Sequence, residues 1–150
     1  MVNMKTVASL LLTAASLAPI ATAVSAQNIP SYQAARAVYD AMDRTVGQTG
    51  GWSKKPLVDR LQAHDDAVKL AKKAELLFGT NLGAPSSSCW KAAIGMQFYI
   101  SNMNDLALIL EGKRTNVSPA DLYAPMFTSL GFGEHKAACY QYVLSLNSRK

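Results

Sequence analysis

The chain has 150 residues, of which 49% are hydrophobic, and its 15 basic and 10 acidic residues give a net charge of +5. This is one domain's worth of chain, enough for a single modest core. The basic residues are scattered and lack interleaved aromatic residues, which argues against binding to nucleic acid. A small positive charge of this kind serves solubility and can also favour acidic partners.

Residues 1–26 have the layout of a secretory signal peptide. Lys5 supplies a positive charge, residues 7–17 form an apolar run, and small residues at 24–26 offer a cleavage site. The apolar run is shorter than the roughly 20 residues that a membrane span needs. We therefore expect residues 27–150 to form one exported domain without a membrane span, in the periplasm or secreted.

Two amphipathic helices are predicted at the start of this domain. Ser31 can cap a helix over residues 32–46, and Pro56 suits the first turn of a second helix that ends at Gly79. The second helix has an apolar stripe, which we expect to face the core. The stripe contains Leu57, Leu61, His64, Val68, Ala71 and Phe78.

The third predicted helix covers Cys89–Glu111, with Ser88 as its N-cap and Gly112 as its stop. Its apolar residues lie on most sides of the axis, which is typical of a buried central helix. Gly95 in the middle of this helix indicates a close crossing with another helix, because glycine otherwise costs about 1 kcal/mol relative to alanine.

Ser118 and the Pro119 that follows it form a helix-start signal. We expect a short fourth helix that is interrupted by Pro125 and ends at Gly131 or Gly133, and then a last helix over residues 134–146. No segment shows the sustained alternation of a β-strand. The sequence therefore predicts an all-α domain of four to five helices.

Cys89 and Cys139 are the only two cysteines in the chain. In an oxidising compartment such a pair is expected to form a disulfide. A bond that closes a loop of this length stabilises the fold by roughly 4 kcal/mol if it acts by restricting the unfolded chain.

Trp52, Lys54 and Lys55 follow a pair of glycines between the first two helices. An exposed tryptophan beside two lysines could anchor a protein partner, and we take these three residues as the candidate partner-binding site. The alternative is that Trp52 folds back as a lid on the core.

No residue pattern indicates catalysis, a metal site or a cofactor. His64 is followed by Asp65 and Asp66, but on a helix these carboxylates point away from the imidazole and can pair with lysines one turn later. Met96 and Met103 share a helix face, where methionine usually fills a core. Whether His64, Met96 and Met103 line a functional cavity or only the core stays open at this point.

A short, helical layout with one long-range disulfide is similar to that of periplasmic immunity proteins and acid-stress chaperones. The resemblance concerns layout alone, so no functional residue is carried over. It implies a non-enzymatic protein that binds another protein of the cell envelope. The alternative is a carrier of a small molecule or metal that uses the space between the helices near Met96, Met103 and His64.

Overall fold

The computed structural model describes residues 29–148, so the predicted signal peptide at residues 1–26 lies outside the described residues. The described chain contains four α-helices and one 3₁₀ turn, and no strand occurs among these residues. The helices are α1 (Tyr32–Gly47), α2 (Leu57–Phe78), α3 (Ser87–Leu110) and α4 (Pro119–Asn147), and the 3₁₀ turn is Trp52–Lys54. The all-α prediction is confirmed.

The sequence signals at several helix ends are confirmed. The Ser31 hydroxyl accepts a hydrogen bond of 3.1 Å from the backbone N–H of Ala34 at the start of α1. Gly79 and Gly112 follow α2 and α3 with φ values of 71° and 70°. Only glycine adopts this left-handed conformation without strain, which is why both helices end there.

Helix α3 is the central element, as its all-round apolar composition predicted. It contacts each of the other three helices and also the 3₁₀ turn. Met96 and Ile100 have no exposed surface, and Cys89 is equally buried where it forms the predicted disulfide with Cys139. The bond brings the two Cα atoms to 4.5 Å and joins the start of α3 to the second half of α4.

The start of α3 differs from the prediction. The helix begins at Ser87 rather than Cys89, and the Ser88 hydroxyl donates to the carbonyl of Pro85 instead of capping the helix. Ser86 and Ser87 are buried and donate to the carbonyls of Phe78 and Leu82. These serines therefore fasten the loop between α2 and α3 to the end of α2.

The predicted buried stripe of α2 is wrong for four of its six residues, whereas Ala71 and Phe78 are buried as predicted. Leu57, Leu61 and Val68 are 42%, 53% and 39% exposed, and the His64 side chain is 33% exposed. The buried face lies about a quarter turn away around the helix and consists mainly of alanines. Its members are Arg60, Ala63, Ala67, Leu70, Ala71, Ala74 and Phe78. Small side chains let α2 approach α3 closely. This packing favours the alanine face over the stripe of larger apolar residues as the buried side of α2.

The predicted break near Pro125 is also wrong, since α4 is one helix of 29 residues. The Pro125 ring is buried, and neither Gly131 nor Gly133 adopts the positive φ that would end a helix. Pro125, Phe132, Cys139 and Leu146 recur at intervals of seven residues and are all buried. This regular spacing keeps one continuous face of α4 against the core.

Arg60 forms an ion pair inside the domain. Its side chain is 1% exposed, and its Nη2 lies 2.6 Å from Oε1 of Glu111. Glu111 also contacts Lys113 at 2.8 Å. Hydrogen bonds from Lys113, and secondly from Arg60, lower the pKa of Glu111 below its ordinary value of 4.5. The ion pair connects α2 to the end of α3.

Candidate functional site

Helices α3 and α4 pack side by side in antiparallel directions. Three contacts fix the register: the Cys89–Cys139 disulfide, the close approach of Gly95 to Phe132, and a hydrogen bond of 3.4 Å from Asn102 to Thr128. A Cβ atom added at Gly95 would lie 3.3 Å from the Cα of Phe132. The close helix crossing predicted from Gly95 is therefore confirmed.

A cleft of about 320 Å³ lies on the outer side of this helix pair, and Gly95 and Gly131 are among its lining residues. We call it the α3–α4 cleft. Its other lining residues are Trp90, Lys91, Ile94 and Phe98 from α3, and Thr128, Phe132 and His135 from α4. The antiparallel register places Lys91 and His135 opposite one another at one end of the cleft.

The polar groups at this end have no partners in the described part of the chain. Neither Lys91 nor His135 has an ion pair or a hydrogen bond there. The Trp90 Nε1 atom is buried and also lacks an acceptor. An unsatisfied buried donor costs about 1–3 kcal/mol of folding free energy. The unpaired Trp90 N–H therefore makes this end of the cleft less stable than the other end in the free protein.

The first half of α4 exposes a row of large apolar side chains, which we call the α4 face. Its residues are Leu122, Tyr123, Met126, Phe127 and Leu130, with exposed fractions of 46%, 57%, 52%, 64% and 66%. No charged residue lies between Asp121 and Glu134. The solvent side of this part of α4 therefore lacks the charged residues that a surface helix usually carries.

The α4 face and the α3–α4 cleft adjoin one another. Phe127 and Gly131 are one helical turn apart on α4, and Gly131 lines the cleft. Phe98, on the α3 side of the cleft, is itself 57% exposed. Together the face and the cleft form one apolar surface with two basic side chains at its far end.

The α4 face lies on the side of α4 that its neighbours leave open along the whole helix, since Ala137, Gln141 and Leu144, which continue this side into the second half, are also exposed. Helix α1 has 16 residues and spans about 24 Å, whereas α4 has 29 residues and spans about 43 Å. Ring contacts of Tyr39 with Tyr140, and an ion pair of Asp43 with Lys136, hold α1 against the second half of α4. The first half of α4 extends beyond that region.

The structure buries the indole ring of Trp52. Its side chain is 2% exposed, and Nε1 donates a hydrogen bond of 3.0 Å to Oδ1 of Asn104 on α3. This placement agrees with the alternative in which Trp52 covers the core, and it leaves no exposed indole surface for a partner. Lys54 is exposed and Lys55 is half-buried. A role for these two lysines in partner binding stays a prediction.

The residues of the carrier alternative have different surroundings. Met96 has no exposed surface, and Met103 is partly buried against the core, where it also lines a surface hollow beside Trp52. His64 lies 3.9 Å from the carboxylate of Asp65 on the surface of α2. Within residues 29–148, no three His, Cys, Asp or Glu side chains come together as a metal site would require.

Sequence reasoning did not identify the α4 face or the α3–α4 cleft. One signal was present: the run from Leu122 to Gly133 contains six large apolar residues, spaced around the helix axis, and no charged residue. Such a run is ambiguous, because a fully buried helix has the same composition. Only the position of the neighbouring helices determines which side chains remain exposed.

No protein-family model, curated protein or solved structure matches this chain at a significant level. In the part of the chain that the structure describes, no helix is both long enough and apolar enough to cross a membrane.

Proposed function

We propose that this protein is a non-enzymatic binding protein of the cell envelope, and that its α4 face docks onto another protein. The observation that carries the proposal is the exposure of five large apolar side chains on an uncharged stretch of helix. Single exposed apolar residues are ordinary, but a contiguous group of this kind usually marks an interaction surface.

The residue types on the α4 face favour a protein partner. Tyrosine, phenylalanine and methionine are enriched in the cores of protein interfaces, where they provide much of the binding energy. Tyr123, Met126 and Phe127 belong to adjacent turns of one helix, so they form a ridge that can enter a groove. The expected partner presents an apolar groove of matching width.

The charge of the chain favours an acidic partner. Among residues 29–148, more basic than acidic side chains lack an ion-pair partner. The unpaired basic residues are Arg44, Lys54, Lys55, Lys73 and Lys91, and the acidic residues without a Lys or Arg partner are Asp59, Asp65 and Glu134. Such an excess accelerates encounters with acidic proteins and makes binding weaker at high salt.

Two features support export to the periplasm or to the outside of the cell. Residues 1–26 have the charge, apolar run and small cleavage-site residues of a signal peptide. The Cys89–Cys139 disulfide is the second feature, because structural disulfides persist mainly in oxidising compartments.

A site-specific crosslinking experiment tests the proposed docking surface. A benzophenone amino acid replaces Phe127, or in a second strain Leu130, and intact cells of the source organism are irradiated. The control carries the same group at Leu76, which is 78% exposed on α2. We expect one discrete adduct with a different protein from the α4 positions and none from Leu76.

The protein recovered in that adduct is then purified for a direct binding measurement. Met126→Asp should weaken the affinity by about tenfold or more, whereas Leu76→Asp should leave it unchanged. Both positions are exposed, so both variants should keep the fold. The same adduct from Leu76, an adduct with a second copy of this chain, or the absence of any adduct would each contradict the proposal.

A further inference from the structure

The α3–α4 cleft has the chemistry of a ligand site for an amphiphile with a negatively charged end. Its floor is glycine, its walls are largely aromatic and aliphatic, and its volume of about 320 Å³ lies near the lower limit for small-molecule sites, about 300 Å³. We propose that this cleft binds a medium-length acyl carboxylate, with the carboxylate at Lys91 and His135 and the chain directed towards Phe98. This inference goes beyond the proposed protein docking and does not depend on it.

The shape of the cleft favours an extended chain. It follows the two antiparallel helices from the level of Lys91 to the level of Phe98, seven residues further along α3. At about 1.5 Å per residue, this distance is about 10 Å. The small residues Gly95 and Gly131 leave a channel along the floor, which suits an unbranched acyl chain.

The charges determine which end of the ligand lies where. Lys91 and His135 are the two basic lining residues, and none of the residues that line the cleft is acidic. Each lacks a partner within residues 29–148, so neither has to give up an existing ion pair when a ligand binds. A carboxylate can pair with the Lys91 ammonium group and accept a hydrogen bond from the His135 ring.

The two tryptophans provide a reporter and an internal control for binding. Trp90 lines the cleft. Trp52, in the connection between α1 and α2, is buried and donates a hydrogen bond to Asn104. In a nitrogen-15 correlation spectrum of the labelled protein, each indole N–H gives one peak. Decanoate is added below its micelle concentration, and decyltrimethylammonium at the same concentration serves as the charge-reversed probe.

We expect decanoate to shift the Trp90 indole peak in a saturable way while the Trp52 peak stays in place. Decyltrimethylammonium should bind at least several-fold more weakly, because its head group would face Lys91. Absence of a saturable Trp90 shift with decanoate would overturn the proposal. Equal binding of both amphiphiles would overturn the assignment of the ligand's carboxylate to Lys91 and His135.

Two pairs of variants locate the site. Gly131→Leu directs a side chain into the cleft, while Gly133→Leu adds the same side chain at an exposed position that does not line it. A Cβ atom at either glycine meets nothing within 4 Å, so both variants should fold. We expect Gly131→Leu to abolish the Trp90 shift and Gly133→Leu to retain it.

The second pair tests the charge. Lys91→Gln should weaken decanoate binding by about threefold, the effect expected for a partly exposed ion pair. Lys54→Gln removes an unpaired lysine outside the cleft and should have no effect. Binding that is insensitive to both Gly131→Leu and Lys91→Gln would show that decanoate binds elsewhere, contrary to the proposal. The docking surface on α4 is tested separately, by the crosslinking of Phe127.

Discussion

Gly95 and Gly131 have different surroundings, although each lies inside a helix and both line the α3–α4 cleft. A Cβ atom at Gly95 would lie 3.3 Å from the Cα and 3.6 Å from the backbone nitrogen of Phe132. At Gly131 the same atom would meet nothing within 4 Å. Gly95 is therefore required by packing, whereas Gly131 only keeps the cleft open.

Alanine substitutions at the two glycines should change stability in opposite directions. Gly131→Ala should stabilise the protein by about 0.5–1 kcal/mol through helix propensity alone. Gly95→Ala gains the same propensity, but it forces apart two backbones that the nearby disulfide holds together, and we expect a net loss of about 1 kcal/mol. Urea unfolding followed by circular dichroism measures both. Stabilisation by Gly95→Ala would contradict the close helix crossing.

The burial of individual polar residues could not be predicted when their partners are distant in sequence. The sequence allowed Trp52 to be either an exposed anchor or a lid on the core. The contact that decides between them is the hydrogen bond to Asn104, 52 residues away. The sequence did not distinguish Arg60 from the other charged residues of α2, yet its side chain is buried and pairs with Glu111. By contrast, Ser31 and Gly95 act through local geometry, and for these the sequence was sufficient.

At the level of elements, α4 has two halves with different environments. Its first turn is fixed by a capping box in which the Ser118 hydroxyl accepts from the Asp121 N–H, and the Asp121 carboxylate accepts from the Ser118 N–H at 2.7 Å. Arg114 also contacts this carboxylate, at 2.9 Å. Because the first half of α4 packs on one side only, these contacts are important for its order.

Removing the capping carboxylate should reduce stability in a way that depends on pH. Hydrogen bonds from Ser118, and secondly the charge of Arg114, lower the pKa of Asp121 below its ordinary value of 3.8. The folded protein therefore gains stability from this carboxylate above pH 3.8 and loses it as the pH falls through the lowered pKa. We expect Asp121→Asn to destabilise the protein at pH 7, and this difference should shrink as the solution is acidified below 3.8.

Two further variants serve as comparisons for that measurement. Ser118→Ala removes the other half of the capping box and should cost about 1 kcal/mol at neutral pH. Asp59→Asn is the matched control, since Asp59 lies in the first turn of α2, where the N-cap makes no side-chain hydrogen bond. It should destabilise the protein less than Asp121→Asn. A loss with Asp121→Asn that stays constant into acid would contradict the role of the carboxylate.

The continuity of α4 shows how local signals compete with packing. Pro125 and the two following glycines predicted a break, because each disfavours a helix by itself. The seven-residue spacing of Pro125, Phe132, Cys139 and Leu146 was visible in the same sequence and indicates one continuous buried face. The start signals at Ser31 and Ser118 and the stops at Gly79 and Gly112 were reliable, whereas the Ser88 start signal and the breakers inside α4 were not.

At the scale of the whole molecule, the disulfide closes one long covalent loop. It joins Cys89 and Cys139 across a separation of 50 residues and lies fully buried between α3 and α4. The all-α fold and the central position of α3 were also predictable from composition and periodicity. Which apolar residues stay exposed was not, because that depends on which sides of each helix its neighbours cover.

Reduction of the disulfide should lower the free energy of unfolding by about 4 kcal/mol, because the unfolded chain gains freedom over a 50-residue loop. Urea unfolding with and without a reducing agent measures this change. The Cys89→Ala/Cys139→Ala double variant should show a loss at least as large without any reductant, since it also leaves a small cavity. An unchanged unfolding midpoint after complete reduction would contradict this prediction.

The overhang of α4 beyond α1 also divides the molecule into regions of unequal local stability. The disulfide, the Tyr39–Tyr140 ring contact and the ion pair of Lys136 all act on the second half of α4. The turns from Pro119 to Leu130 lack these three contacts, although Arg114 pairs with Asp121 in the first turn. We expect these turns to open and exchange their amide hydrogens more readily than the second half of α4. One helix thus combines a half that the disulfide anchors covalently with a half that fewer contacts hold.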